Sequence, residues 1–302
     1  MGRIRIGLSS WTDKSLIDSG KFYPRGVDDA EGRLRFYVSE FPDLVEVNST
    51  YYGLPSERNS LAWVQRTPDD FLFDVKMFSL LTNHPTQPRA LPKDMLALLP
   101  ENVRTKAQIY LRDAPPELAG EVMERFVRAL QPLQQAGKLG AILGQFPNWF
   151  HPNQTSIDHI AWCRDHLGGY RMAVEFRNGM WMAGATRDQT LAFLKEHGIA
   201  YVCVDEPQGY VSSVPPLAAV TSAELAYVRF HGRRGEMWEK TGATVQERTM
   251  YVYSESELKE WVPKIERLAD GAREVHVLLN TNYEDHAVIN ARQLKLFLEE
   301  GS

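Results

Sequence analysis

The chain has 302 residues, of which 43% are hydrophobic and 24% are charged, and its net charge is −5 with a pI near 5.9. This composition is typical of a soluble globular protein, and the acidic balance disfavours nucleic acid as a partner. The apolar runs fall short of the roughly 18 residues that a membrane span needs.

The two cysteines, Cys163 and Cys203, belong to no paired motif, so neither a disulfide framework nor a zinc knuckle is expected. Unpaired thiols are typical of a reducing compartment, and the N-terminus has neither the apolar stretch nor the cleavage site of a leader. We therefore expect a cytoplasmic protein without a membrane partner. No oligomeric state follows from the sequence.

Eight short, β-rich apolar runs recur along the chain, at 4–10, 44–50, 71–77, 140–146, 171–177, 200–206, 226–232 and 275–281. Segments with a 3.6-residue apolar period lie between most of them, at 57–66, 119–133, 155–167, 186–198, 255–271 and 285–300. This alternation predicts parallel strands joined by helical crossovers. Eight such units predict an α/β fold, a single (β/α)8 TIM-barrel-like domain over residues 1–302.

Two connections depart from the regular unit. Segment 207–221 contains three prolines, and no long helix is expected there. Segment 78–138 is long and includes a Pro-rich piece at 83–95. We predict that 78–138 is an insertion after strand three that folds over one end of the barrel, partly covers its mouth and moves more than the strands.

Charged residues alternate with apolar ones at the C-terminal ends of the predicted strands, as in 173–177, where Glu175 and Arg177 alternate with apolar neighbours. Any one of these charges could belong to an ion pair that only closes the barrel. As a set they predict one cavity at the face where barrel enzymes keep their sites. The predicted members of the cavity are Glu46, Lys76, Glu175, Asp205, Arg229, His231 and Asn280.

The predicted site divides into proton carriers and binding groups. Glu175, His231 and Asp205 are the candidate catalytic residues, with Glu175 as the acid/base and His231 as a second proton carrier. Lys76, Arg229 and Asn280 are expected to hold an anion. The candidate ligand-binding residues are Glu46, Asn48, Lys76, Gln145, Arg177, Trp181, Arg229, Arg233, Asn280, Asn282 and Trp11.

The segment 231–240, "HGRRGEMWEK", follows strand seven, where this fold often binds phosphate. Its glycines permit close backbone approach, and Arg233 and Arg234 offer forked donors. We predict that sulfate or phosphate binds near Arg233 and Asn280. The rim also carries four tryptophans for stacking or loop packing, namely Trp11, Trp149, Trp181 and Trp238.

A resident metal is not expected. Several histidines follow strands, but Lys76, Arg177 and Arg229 at the same mouth would repel a cation, and no two histidines have tight ligand spacing. No cofactor motif is present: the chain has no P-loop and no GxGxxG.

Several motifs taken together resemble the YecE-like family, a domain of unknown function. They are "IGLSSW" (6–11), "VEVNSTYYGLP" (45–55), "FDVK" (73–76), "GQFP" (144–147), "VEFRNGMW" (174–181), "YVRFHGR" (227–233) and "NTNYEDHAVINA" (280–291). The resemblance spans nearly the whole chain and implies a TIM barrel without an assigned activity. The chain departs from the family at Asn178-Gly179-Met180, where a His-Pro-Ser pattern is usual.

The sequence thus predicts an enzyme that acts on a small anionic ligand, phosphate-, sugar- or nucleotide-like, by acid/base chemistry. Two other hypotheses stay open. One is a nucleic-acid end-binding protein or repair-like nuclease, against which the acidic pI counts. The other is a non-catalytic ligand-binding barrel.

Overall fold

The computed structural model, which describes residues 1–300, contains eight parallel strands hydrogen-bonded in chain order into a closed barrel. The strands are β1 (Arg3–Leu8), β2 (Leu44–Val47), β3 (Leu72–Lys76), β4 (Leu139–Gln145), β5 (Met172–Glu175), β6 (Ala200–Asp205), β7 (Leu225–Phe230) and β8 (Glu274–Leu279). Pairing of β1 with both β2 and β8 closes the barrel. Each predicted apolar run overlaps one of these strands, so the predicted (β/α)8 fold is confirmed.

Helices surround the strands. They are α1 (Lys14–Ser19), α2 (Ala30–Glu40), α3 (Glu57–Gln65), α4 (Lys93–Leu98), α5 (Glu101–Arg104), α6 (Pro116–Gln135), α7 (Gln154–His166), α8 (Gly184–Glu196), α9 (Val245–Thr249), α10 (Glu255–Lys259), α11 (Val262–Gly271) and α12 (His286–Glu300). The predicted helix at 255–271 is in fact two helices, α10 and α11. Residues 207–224, all of which the structure describes, contain no helix, as predicted. Across residues 1–300, no helix has both the length and the apolar character needed to cross a membrane.

Local side-chain chemistry fixes where several helices begin. The side chain of Asn153 accepts a hydrogen bond from the Ser156 backbone N–H at the start of α7. Ser254 and Glu257 form a reciprocal capping box before α10. Each cap satisfies backbone donors that the first helical turn leaves unpaired.

The barrel has an apolar outer layer and a charged interior. Strands β2, β5, β6 and β7 are buried along their whole length, and their outer faces pack against the helices. Inside the barrel, His276 Nδ1 lies 2.9 Å from Asp74 Oδ2, and nearer the C-terminal end Arg229 pairs with Glu46. Because these interior charges are paired, the barrel avoids the cost of isolated buried ions.

The long connection between β3 and β4 begins with a tight turn at Ser79–Thr82, and His84 just after it lines the mouth of the barrel. Helix α6 of the same connection packs along α3 and contacts β4, the position of an ordinary barrel crossover helix. Covering of the mouth by the rest of 78–138, and its greater mobility, stay predictions.

Candidate functional site

Strand pairing determines which side chains enter the barrel. In the β7–β8 pair, Tyr227 lies opposite His276 and Arg229 opposite Leu278. Arg229 reaches Glu46 on β2 and Glu175 on β5, and only an inward side chain can contact both strands. Since side chains alternate along a strand, Tyr227 and Arg229 both face the interior.

Arg229 is the centre of a buried ion network. Its Nη2 lies 2.7 Å from Glu46 Oε1 and its Nη1 lies 2.5 Å from Glu175 Oε2, and none of the three side chains is exposed. The Tyr227 hydroxyl donates to the other oxygen of Glu46 at 3.0 Å. Burial alone would lower the pKa of Arg229, but the two carboxylates outweigh it and raise that pKa. Arg229 therefore stays a cation and holds both glutamates in place.

Glu175 connects this network to the mouth. Its Oε1 lies 2.5 Å from Arg177 Nε and 3.2 Å from His231 Nε2. Burial acts to raise the pKa of Glu175, but Arg177, Arg229 and His231 hold it well below its usual range. Glu175 is therefore a permanent carboxylate that orients three groups.

His231 is held as a neutral imidazole. Its Nδ1 lies 2.9 Å from Asn280 Nδ2, and because an amide N–H donates, Nδ1 must accept. The proton then belongs on Nε2, facing Glu175. Burial, followed by the charge of Arg177, lowers the pKa of His231 to about 3. At neutral pH the ring can accept at Nδ1, and its one N–H proton is on Nε2.

An irregularity in β4 brings Gln145 into the site. Phe73 pairs with Leu139 and Val75 pairs with Ile142. An advance of two residues along β3 therefore lies opposite an advance of three residues along β4. The extra residue is a β-bulge, and it reverses the alternation of every later residue in β4. Gln145 consequently points inward, where its Oε1 accepts from Lys76 Nζ at 3.0 Å.

A cavity of about 730 Å³ opens above these groups. The predicted residues that line it are Asn48, Lys76, Gln145, Arg177, His231, Asn280 and Asn282. Glu46, Glu175 and Arg229 lie beneath them with no exposed surface. A second cavity of about 590 Å³ adjoins the first and shares Asn148, Ser212, Trp238 and Arg248 with it. The combined cleft is long enough for a ligand larger than a phosphate ion.

The predicted position of Asp205 in the mouth is wrong. Asp205 pairs with Phe230 in the β6–β7 register, so its side chain points to the helical layer. There it accepts from Trp261 Nε1 at 2.6 Å and from the Tyr253 hydroxyl at 2.7 Å. These bonds are out of reach of the barrel interior, so Asp205 anchors loops and does not line the cavity.

The inward carboxylate of β6 is the next residue, Glu206. Its Oε2 lies 3.2 Å from Arg177 Nη1, and its Oε1 accepts from the Val214 backbone N–H at 2.7 Å. Burial raises the pKa of Glu206 to about 8, although Arg177 and the Val214 N–H act in the opposite direction. No pattern in the sequence indicates which side chains of β6 point inward, because every residue of β6 is buried and both faces are mainly apolar.

Arg233 does not line the cavity, and anion binding near it stays a prediction. Arg233 Nη2 lies 2.8 Å from Asp205 Oδ2 and 2.8 Å from Glu260 Oε2. Two carboxylates thus neutralise it outside the barrel. Gly232, before it, has a φ of +84°, and a Cβ there would lie 2.6 Å from Tyr251 Cβ, so this glycine turns the chain away from the mouth.

Two of the four rim tryptophans are core residues. Trp11 packs edge-on against Trp63 and is 6% exposed, and Trp181 stacks between Phe150 and Phe176 at 1% exposure. Neither can contact a ligand as predicted. Trp149 and Trp238 do line the mouth.

Sequence reasoning missed several residues of the cavity wall. Tyr51 and His84 stand with ring centroids 5.3 Å apart, and the Tyr51 ring lies 4.6 Å from Lys76 Nζ. Lys14 and Arg248 add positive charge at the rim. Tyr51 could have been found from its position in "NSTYYG", immediately after the polar end of β2. Lys14 and His84 lie six and eight residues beyond the ends of β1 and β3, outside the strand-end motifs.

Within residues 1–300, no three histidine, cysteine or carboxylate side chains gather in an arrangement that could hold a metal ion. The expectation that the protein has no resident metal stays a prediction.

Comparison with known proteins gives a consistent family. The family model described as "Protein of unknown function DUF72" matches residues 5–302. The UPF0759 protein YunF of Bacillus subtilis (strain 168) is 31% identical over 299 residues, which cover 98% of this chain and 95% of that protein.

Two crystal structures of relatives have the same architecture. A DUF72 family protein from Enterococcus faecalis V583 is 27% identical, with a TM-score of 0.76 over 99% of this chain and 98% of that one. A DUF72 family protein from Thermotoga maritima MSB8 is 30% identical, with a TM-score of 0.77 over 98% of this chain and 99% of that one. With the family match over nearly its whole length, the chain belongs to the DUF72 family of proteins of unknown function.

Proposed function

We propose that the protein is an enzyme that acts on a small anionic ligand, phosphate-, sugar- or nucleotide-like, by acid/base chemistry at the C-terminal face of the barrel. The observation that carries this proposal is a separation of charge. The cationic side chains Lys14, Lys76, Arg177 and Arg248 reach the cavity surface, whereas Glu46 and Glu175 are fully buried beneath it. Among described residues, the one carboxylate that lines this cavity is Asp13, which caps α1, and Glu239 lines the adjoining cavity.

An anion is the ligand that such a lining stabilises. Arg177 carries a forked donor whose geometry suits a phosphate or carboxylate. Its Nε and Nη1 are held from below by Glu175 and Glu206, so the guanidinium is oriented before a ligand arrives. Preorganised charge of this kind stabilises a bound anion without further rearrangement.

The remaining wall suits a sugar or a base. The amide side chains Asn48, Asn280 and Asn282 offer both donors and acceptors to hydroxyl groups. Trp149, 49% exposed, and Trp238 present aromatic faces at the outer edge. A ligand with an anionic group in the mouth and a polar ring in the outer cleft would contact both.

A group must reach the cavity to exchange a proton with a ligand. Glu175, our acid/base candidate from the sequence, is buried and held as a carboxylate, so we assign it the positioning of Arg177 and His231. His231 and Lys76 line the cavity. The pKa of Lys76 is about 7, which suits proton transfer at neutral pH, so Lys76 is the proposed proton carrier. The pKa of His231 is about 3, so the ring stays uncharged, and we assign it a hydrogen bond to the ligand.

A non-catalytic ligand-binding barrel is the second candidate, and the complete burial of Glu175 favours it, because the strongest sequence candidate for catalysis cannot touch a ligand. Solvent exchange separates the two. An enzyme that removes a proton from the carbon next to a carbonyl incorporates deuterium from heavy water at that carbon, and a binding protein leaves the carbon unlabelled.

The test of the anion site is thermal unfolding with matched ligand pairs. Ribose 5-phosphate and AMP should raise the Tm, whereas ribose and adenosine at the same concentrations should not. A ligand at a hundred times its Kd adds about 2.7 kcal/mol of stability.

Arg177→Gln and Arg248→Gln should each reduce the Tm gain relative to the variant's own baseline. Arg273→Gln is the matched control. Arg273 lies far from the mouth, its side chain is 77% exposed, and it pairs with Glu224. Equal shifts from ribose and ribose 5-phosphate would remove the proposal.

On the motif resemblance we further propose that the chain falls within the YecE-like group, and on its cysteine usage that it works in the cytoplasm.

A further inference from the structure

Lys76 differs from the other cations inside the barrel mouth. It ends β3, faces the interior and lines the cavity. Its Nζ donates to an uncharged acceptor, Gln145 Oε1, at 3.0 Å. No carboxylate of the described chain lies within ion-pair distance of it, in contrast to Arg177 and Arg229.

The neighbourhood of Lys76 disfavours a second positive charge. Arg229 Nη1 lies 3.4 Å from the same Gln145 oxygen, so two cationic side chains converge on one amide. The nearby carboxylates, Glu46 and Glu175, already contact Arg229. Burial, then the charge of Arg229, lowers the pKa of Lys76 to about 7, with Arg177 acting in the same direction and the two glutamates against it.

An aromatic wall completes the setting. The Tyr51 ring lies 4.6 Å from Lys76 Nζ and contacts the His84 ring. His84 Nδ1 is engaged by the Thr82 hydroxyl at 2.9 Å. Burial, then the charge of Lys76, lowers the pKa of His84 to about 3. A neutral imidazole therefore lies on the same wall as the amine and adds no charge there.

We propose that Lys76 Nζ is a nucleophile that forms a Schiff base with the carbonyl carbon of a small anionic aldehyde or ketone, such as a sugar phosphate in its open-chain form. The anionic part of this ligand rests on the proposed function above. The covalent step rests on Lys76, a half-buried amine without a carboxylate partner that borders the cavity and has a cation for a neighbour. Desolvation and a nearby cation are the two usual means of activating a lysine nucleophile.

The step balances without a further reactant. The amine lone pair attacks the carbonyl carbon, and a proton moves from nitrogen to the carbonyl oxygen to give a carbinolamine. The carbinolamine oxygen, which carries one proton from the amine, takes a second proton from solvent, the C–O bond breaks, water leaves, and a protonated C=N bond remains. This positively charged bond withdraws electrons from the adjacent carbon, which eases removal of a proton there.

The test traps the adduct in the unmodified protein. Dihydroxyacetone phosphate is added, sodium cyanoborohydride reduces any imine to a stable secondary amine, and peptide mass spectrometry locates the modified lysine. We expect modification at Lys76, with yield that rises between pH 6 and 8. Lys14 is the internal control, because it lines the same cavity and Asp18 raises its pKa. At pH 7, Lys76 should be modified at least about tenfold more than Lys14.

Two further measurements separate this inference from the anion site. Dihydroxyacetone without phosphate should give a several-fold lower yield at Lys76, and Lys76→Arg, with its fold checked by circular dichroism, should give none. A Tm gain from dihydroxyacetone phosphate without an adduct at Lys76 would overturn the covalent step and leave the anion site standing. Equal yields of the Lys76 adduct from dihydroxyacetone phosphate and from dihydroxyacetone would support Lys76 as a nucleophile and overturn the anion site. Modification spread evenly over surface lysines would also overturn the inference.

Discussion

Lys76 is expected to make the protein less stable at acid pH than at alkaline pH. Its pKa is about 7 in the fold against 10.5 for a free lysine, so between these values the unfolded chain binds more protons than the folded one. Stability from this group therefore rises as pH increases through 7 and is lowest below 7, where the fold must hold the buried charge.

Lys76→Met should consequently stabilise the protein at pH 6 by about 1–3 kcal/mol, and the gain should shrink by pH 9. Urea unfolding at both pH values measures it, with Lys14→Met as the surface control. A loss of stability at pH 6 that is as large as the loss at pH 9 would contradict the depressed pKa.

Asp205 should matter for stability and not for binding. Asp205→Asn removes the charge that Arg233 contacts and turns one oxygen that accepts from Trp261 or Tyr253 into a donor. We expect a loss of about 1–3 kcal/mol, measured by denaturant unfolding.

The Tm gain of this variant from ribose 5-phosphate should equal that of the wild type. Asp188→Asn, whose side chain is 72% exposed, is the control for a lost carboxylate. If Asp205→Asn loses the Tm gain from ribose 5-phosphate while its stability is unchanged, Asp205 must lie in the mouth.

The residues of the site were predictable where a strand end was clearly polar. Lys76, Arg177, His231 and Asn280 follow apolar residues at the C-terminal ends of their strands, and all four line the cavity. The prediction for Asp205 was wrong because β6 has apolar residues on both faces. If the inward–outward alternation shifts by one residue, Glu206 points inward in place of Asp205. Only the pairing with β7, which the sequence does not contain, decides between them.

At the scale of single elements, the bulge in β4 is the feature that no pattern in the sequence predicted. It makes Gly140 and Gln145 face the same interior although they are five positions apart, which in a regular strand would put them on opposite faces. A Cβ at Gly140 would lie 2.3 Å from Asp74 Oδ1 and 3.2 Å from His276 Cε1. The glycine thus leaves room for the buried Asp74–His276 pair in the middle of the barrel.

Gly140→Ala should therefore destabilise the barrel by about 1–3 kcal/mol, because the new methyl group collides with a buried ion pair that cannot move into solvent. Gly144→Ala in the same strand is the matched control. Its Cβ would meet the flexible end of Met172 at 3.3 Å, and we expect a change below about 1 kcal/mol. Thermal unfolding of the two variants compares them, and equal losses would argue against the bulge.

At the scale of the whole molecule, the barrel was predictable because its eight strand–helix units alternate along the chain. The units that lack a regular helix, at 207–224, were also recognisable from their prolines. The arrangement of charge was not predictable. The carboxylates Glu46 and Glu175 lie buried beneath the cations. How far a charged side chain lies below the cavity surface depends on its direction in three dimensions.

The central claim is that this arrangement makes the mouth a site for an anion. A crystal structure of the protein soaked with millimolar phosphate tests it most directly. We predict tetrahedral density inside the barrel mouth, within hydrogen-bond distance of Arg177 and next to Lys76. Phosphate bound instead at Arg233 outside the barrel, or an empty mouth in crystals that hold phosphate elsewhere, would contradict the account.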